Sequence, residues 1–211
     1  MPFSIINRYR LFKYQKVVIL GSGPSLSDIK LFDDDSFLLV AINGAVYSPL
    51  FKNYKGRKFC FTADGSRAEE IFDYCKNNGF KIVISTHTLY HIRFMRFASF
   101  KTGVFFLPAL KLNSFRLKFK SNNVEHFKEV GFFPVSCGFG SLSHFLQFVD
   151  QFVTKEIQLF GFDFSEDHGK YFNGSPDFMN RSVNNLKQSK ADYLVIRDLL
   201  SYRGIKLYDG L

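Results

Sequence analysis

The sequence predicts one α/β domain of the Rossmann-like kind, a mostly parallel sheet with crossover helices and a short lid. Three observations predict it. Short β-prone apolar runs alternate with stretches of helical periodicity, the pattern that builds a parallel sheet. The first run, Val17-Val18-Ile19-Leu20, leads straight into Gly21-Ser22-Gly23-Pro24-Ser25-Leu26, a glycine turn at a strand end. The length of 211 residues with 46% hydrophobic content suits one sizeable core.

In chain order, strands are expected at 16–20, 37–42, 58–62, 81–85, 104–107 and 156–160, with a short last one at 205–208. Helices are expected at 26–31, 68–78, 142–152 and 191–203. Gly79 and Gly204 stand where helix C-caps need a left-handed residue. Residues 1–15 form a lead-in that mixes Phe3, Ile5, Ile6, Tyr9 and Phe12 with Arg8, Arg10 and Lys13. That mixture suits a membrane surface or a frayed terminus. A single α/β domain is expected over 16–211. Within it, 91–130 reads as a basic and aromatic insertion and 165–190 as the lid.

Composition narrows the partners. The net charge of +9 favours anions such as nucleotides, nucleic acid or an acidic membrane face. The insertion interleaves Arg93, Arg96, Lys101, Lys111, Arg116, Lys118, Lys120 and Lys128 with phenylalanines. It suits a membrane or an acidic acceptor. Basic–aromatic alternation also suits stacked nucleic acid, and a solvated surface with core-facing rings explains it equally. Cys60, Cys75 and Cys137 follow no zinc or disulfide spacing, which fits a reducing cytoplasm. No apolar run approaches a membrane span, and the N-terminus lacks a signal-peptide core.

Ligands of doubly wound folds sit beyond the carboxyl ends of the strands, which selects the loops at Gly21, Asn43, Asp64, His87 and Gly161. The turn at Gly21 and Gly23 is expected to bring helix N–H groups close to a phosphate or sugar, with Ser22 and Ser25 beside it. Leu26 replaces the third glycine of the dinucleotide fingerprint, and no Gly-Lys-Ser/Thr is present. A plain β-to-α turn is the structural alternative. Asn43 offers donor and acceptor groups to a sugar or base, or simply makes a turn with Gly44. Asp64 suits a ribose hydroxyl or a helix cap. Ser136, Gly138 and Ser141 precede an apolar helix, where free N–H groups receive anions. Cys137 there lacks an assignable His partner. The strand 157–160 ends in Gly161-Phe162-Asp163, and its loop carries Asp167, His168, Lys170 and Tyr171. His168 is the side chain best placed to act as a base. His144, on an apolar helix, reads as a core residue.

These blocks resemble bacterial lipooligosaccharide sialyltransferases, glycosyltransferase family 42. Gly21 to Leu26 resembles their Gly-Asn-Gly-Pro-Ser-Leu, and Asn43 their Cys-Asn-Gln step. Ser136 to Gly138 is similar to their Ser-Gly motif. Ile157 to Phe164 is similar to their Gly-Ile-Asp-Phe strand, and Ile205 to Tyr208 to their last strand. Ser22 stands in place of an Asn, and Cys137 divides the Ser-Gly pair. His168 sits earlier than their lid His, as in animal-type sialyltransferases. The resemblance implies a GT-A-like domain with a mobile lid and metal-free transfer of sialic acid, or a related nonulosonate, from a CMP-sugar. The implied acceptor is a glycan or glycolipid in lipopolysaccharide biosynthesis, at the inner membrane. His168 would be the base, Asn43 and Asp64 would contact base or ribose, and Ser136 and Gly138 the cytidine or carboxylate. Lys170 and Tyr171 would neutralise the leaving phosphate, and Asp163 belongs to the same site. A second resemblance is to pterin diphosphokinase-like proteins, including flagellin nonulosonate transferases, through Gly-x-Gly-Pro-Ser-Leu, the Gly-x-Asp strand and Asp64-Gly65. A non-catalytic nucleotide-binding module remains the third reading. The expected partners are the CMP-sugar, the acceptor and an anionic membrane surface, with self-association open. No cofactor, metal or nucleic acid is expected.

Overall fold

The computed structural model describes residues 14–30, 34–63, 65–85, 104–107, 141–146, 149, 153–163 and 183–209. Seven strands form one sheet: β1 (Tyr14–Leu20), β2 (Leu38–Ile42), β3 (Lys58–Thr62), β4 (Phe80–Ser85), β5 (Val104–Leu107), β6 (Val153–Phe160) and β7 (Lys206–Asp209). Their order is β5-β4-β3-β2-β1-β6-β7, and every neighbouring pair is parallel. Val17 to Leu20 and all of β2 are buried without alternation, as strands covered on both faces must be. On β7, at the sheet edge, exposure alternates instead.

Three α-helices are found among the described residues: α1 (Gly65–Asn77), α2 (Ser141–Leu146) and α3 (Val183–Tyr202). Side-chain parity divides the core. Val17, Ile19, Val40 and Ile157 pack with Leu142, Phe145 and Leu146 of α2 and Tyr193, Ile196 and Leu200 of α3. Val18, Leu20, Leu39 and Ile82 pack on the other face with Ala68, Ile71, Phe72 and Cys75 of α1. Those four α1 residues follow the i, i+3, i+4, i+7 spacing of an apolar helical stripe. The α3 terminus closes as a Schellman motif. Ile205 N–H bonds Leu200 O at 2.9 Å, Gly204 N–H bonds Ser201 O at 2.9 Å, and Gly204 adopts φ +76°.

The α/β architecture agrees with the sequence, while several boundaries and one helix type differ. The helix expected at 26–31 is a 3-10 turn, Pro24–Asp28. Ser27 Oγ bonds back to Pro24 O at 2.8 Å, and Ile29 is already extended, so the helix does not propagate. After β2 the chain crosses by two further 3-10 turns, Asn43–Tyr47 and Pro49–Phe51, where no helix was expected. Of the helix expected at 142–152, the structure describes α2 over Ser141–Leu146, and residues 147, 148 and 150–152 lie outside the described residues. Residues 183–190, the end of the expected lid, are the start of α3. Strand β5 lies inside the expected insertion at 91–130, and residues 14 and 15 of the lead-in belong to β1.

Candidate functional site

The sheet order reverses between β1 and β6, so their exit loops meet at the carboxyl edge. This is the switch point at which open α/β sheets bind ligands. The two loops are stitched together. Gly21 N–H donates to Phe160 O at 2.7 Å and Gly23 N–H to Gly161 O at 2.8 Å. Ser25 N–H donates to the Asp163 carboxylate at 3.2 Å.

This changes the reason for the glycines. A Cβ on Gly21 would collide with Gly161 O and lie 2.7 Å from the Phe162 ring. A Cβ on Gly23 would collide with the Asp163 carboxylate and lie 2.8 Å from Gly161 O. Gly161, at φ +73°, would meet Gly21 O at 2.6 Å. The bare backbone is needed for the approach of one loop to another. The expectation that these amides reach a phosphate is therefore corrected: the Gly21, Gly23 and Ser25 N–H groups already have protein acceptors. Asp163 serves that stitch as a cap for Ser25, whatever else it contacts. The half-buried Ser22 and Ser25 keep their hydroxyls at this edge.

Asn43 follows β2, the strand next to β1, and has φ +52°. Among the described residues it alone, glycines apart, has a positive φ. Asn tolerates this region better than most residues, and such outliers cluster at functional positions. Its carboxamide meets the first residue of α2. Ser141 Oγ lies 3.2 Å from Asn43 Nδ2 and 3.3 Å from Oδ1. Asn43 and the first residue of α2 thus meet at this edge. Of Ser136, Gly138 and Ser141, it is Ser141 that the described structure places against Asn43. The signal for Ser141 was its place as the last small residue before the apolar helix.

Asp64, Ser136, Gly138, His168, Lys170 and Tyr171 lie outside the described residues, as do Cys137, His87, His91 and His126. His144 is fully buried, with its ring 5.4 Å from that of Phe61, as a core residue. Burial pushes the Cys60 thiol well up, and Cys75 is hydrogen-bonded to it. A buried thiol of raised pKa is not an activated nucleophile. Among the described residues no His, Cys, Asp or Glu cluster could hold a metal ion, and no helix is long and apolar enough to cross a membrane.

Solved structures of the sialyltransferase CST-II share this architecture. An asparagine-to-alanine variant in complex with CMP has a TM-score of 0.53 at 22% identity, over 92% of this chain and 81% of that one. A tyrosine-to-phenylalanine variant in complex with CMP gives 0.50 at 21% identity, over 92% and 80%. A third structure, of CstII from Campylobacter jejuni with a substrate analogue, gives 0.49 at 21% identity, over 92% and 79%. The chain has a sialyltransferase-like fold. No protein-family model matches the chain, and no curated protein matches it. In this sialyltransferase-like fold, Asn43, Ser141 and the stitched Gly21–Ser25 and Gly161–Asp163 loops share the carboxyl edge of the sheet.

Proposed function

We propose that this protein is a metal-independent glycosyltransferase that moves sialic acid, or a related nonulosonate, from a CMP-activated donor to a glycan. A cell-surface glycan such as lipooligosaccharide is the acceptor class, and the work is done at the cytoplasmic face of the inner membrane. The observation that carries the reading is the Asn43–Ser141 pair at the carboxyl edge, beside the switch point. A carboxamide and a hydroxyl there suit a nucleotide sugar, whose ribose, base and carboxylate all need neutral hydrogen-bonding groups. The CMP held by neighbours of the same fold supports cytidine as the nucleotide.

In this reading the acceptor hydroxyl attacks the anomeric carbon as the bond to the phosphate oxygen breaks and CMP leaves. His168 takes the acceptor proton, while Lys170 and Tyr171 offset the charge that develops on the phosphate. Asn43 and Ser141 hold the donor, with Asp64 on base or ribose and Ser136 and Gly138 on the cytidine or the sugar carboxylate. The hydroxyls of Ser22 and Ser25 serve the nucleotide, in place of the amides already used by the stitch.

Calorimetry with CMP, followed by incubation with CMP-sialic acid and a galactose-terminated acceptor, tests the reading. CMP binding with transfer or slow donor hydrolysis is expected. Failure of all three, or thermal stabilisation by ATP with magnesium and not by CMP, would overturn it and favour a pterin diphosphokinase-like activity.

A further inference from the structure

The sheet is electrically polarised along its strands. Five of the described strands carry a cation at or near their start: Lys16 on β1, Lys58 on β3, Lys81 on β4, Lys155 on β6 and Lys206 on β7. Arg57 precedes β3 directly. Because all strands are parallel, these side chains lie along one edge, opposite the carboxyl edge just described. Register aligns them: Lys16 stands opposite Glu156, which stands opposite Lys206, and Lys81 stands opposite Phe59, next to Lys58. The helices run back toward the same edge, adding Lys76 at the end of α1 and Arg203 just after α3. The strand exits that the structure describes carry Asn43, Ala63, Asp163 and Asp209, and no Lys or Arg.

Against these eight cations the described residues of this edge set Asp34, Asp35, Glu156 and, one turn before Lys76, Asp73. Asp34 is engaged by Ser36, Asp35 by the Lys55 N–H, and Glu156 lies 3.9 Å from Lys16. The excess is strongly positive. From β4 to β7 the row crosses six strands, about 24 Å at the usual spacing.

We infer that this edge is a docking surface for an anionic lipid bilayer. Its chemistry favours a flat sheet of phosphate headgroups over other polyanions. Lysines outnumber arginines by six to two, giving flexible point charges in place of the planar forks that read nucleic acid. The rings nearby are buried beneath the charges: Lys16 Nζ sits 5.5 Å from the Phe37 ring and Lys58 Nζ 5.3 Å from the Phe80 ring. They offer no stacking platform for bases. Docked this way, the carboxyl edge faces away from the bilayer, one strand length of roughly 20 Å above it. A glycan that projects from the membrane can reach that height.

The test is co-sedimentation with vesicles of equal parts phosphatidylglycerol and phosphatidylcholine at low ionic strength. The wild type is compared with the triple variant Lys81→Gln, Lys155→Gln, Lys206→Gln, and with the same three sites changed to Arg. These three lysines are exposed and far from the carboxyl edge. Each surface lysine is worth about fivefold in affinity, so the Gln variant should bind roughly a hundredfold more weakly. The Arg variant should bind as the wild type does, pure phosphatidylcholine should retain little of either, and salt should release the protein. Thermal midpoints report folding independently of any enzymatic reading. Absence of wild-type binding, equal binding by the Gln variant, or preference for poly(U) over the vesicles would overturn the inference.

Discussion

Gly23→Ala is the perturbation that examines the stitch between the two glycine-bearing loops most directly. The added methyl would enter the Asp163 carboxylate and lie 2.8 Å from Gly161 O. Neither neighbour moves freely, because Asp163 accepts from Ser25 N–H and Gly161 O accepts from Gly23 N–H. Overpacking of this kind costs about 1–3 kcal/mol. Displacing the carboxylate also sacrifices a hydrogen bond to a charged group, about 1.5–3 kcal/mol more. A total of about 2.5–6 kcal/mol is a large share of the roughly 5–15 kcal/mol that holds most domains folded. For a chain of this length, that corresponds to a fall in Tm of about 5–24 °C. Urea unfolding followed by circular dichroism measures it. Asp163→Ala removes the obstacle as well as the bond, so adding Gly23→Ala to it should cost less than in the wild type. The coupling should exceed about 1 kcal/mol. A Gly23→Ala protein as stable as the wild type, or strict additivity in the double variant, would refute the account.

Other substitutions separate structure from chemistry. Asn43→Gly keeps the left-handed backbone but loses the carboxamide, so it should fold normally and bind CMP about three- to tenfold more weakly by calorimetry, while Asn43→Ala adds a strain of about 1 kcal/mol in unfolding. His168→Ala should lower transfer by roughly two to four orders of magnitude in a turnover assay with CMP affinity nearly unchanged. Burial, then the Asp209 carboxylate that accepts its hydroxyl at 2.7 Å, raise the Tyr193 phenol well above its ordinary 10.0. A raised folded pKa gives stability that is fully present below pH 10 and lost as pH climbs toward the folded value. Thermal melts across pH 8–11.5 should therefore show a steeper alkaline decline in the wild type than in Tyr193→Phe.

The central strands β1, β2 and β3 were legible because burial on both faces writes them as unbroken apolar runs. Lys58–Thr62 and Val104–Leu107 match their sequence-predicted bounds. Helix α1 was legible through its Ala68, Ile71, Phe72, Cys75 stripe. The 3-10 turns after β1 and β2 were not, since their form depends on Pro24, on Ser27 and on the bond from Leu50 N–H to Ser48 Oγ rather than on periodicity. The start of α3 was hidden by Asn184 and Asn185, poor helix formers whose setting in a long helix comes from its tertiary docking. In the site, the sequence singled out the glycine loop but gave its amides to a ligand, whereas the fold gives them protein acceptors. The neighbour of that loop, Gly161-Phe162-Asp163, lies 138 residues away in the case of Ser25 and Asp163, a distance that no local pattern encodes. Asn43 was visible as an Asn at a strand end, whereas its pairing with Ser141 required the fold.

The placement of β1 between β2 and β6 has a consequence for biosynthesis. One flank of β1 finds its partner soon after Leu38 emerges, but the other waits for Val153 to Phe160. At ribosomal speeds of about 5–20 residues per second, that wait is on the order of ten seconds. Throughout it, the strand that ends in Val17-Val18-Ile19-Leu20 has an open ladder of N–H and C=O groups along one side. A nascent chain halted before Val153 would present this ladder to any other strand nearby, and so would depend on chaperones until β6 closes the gap.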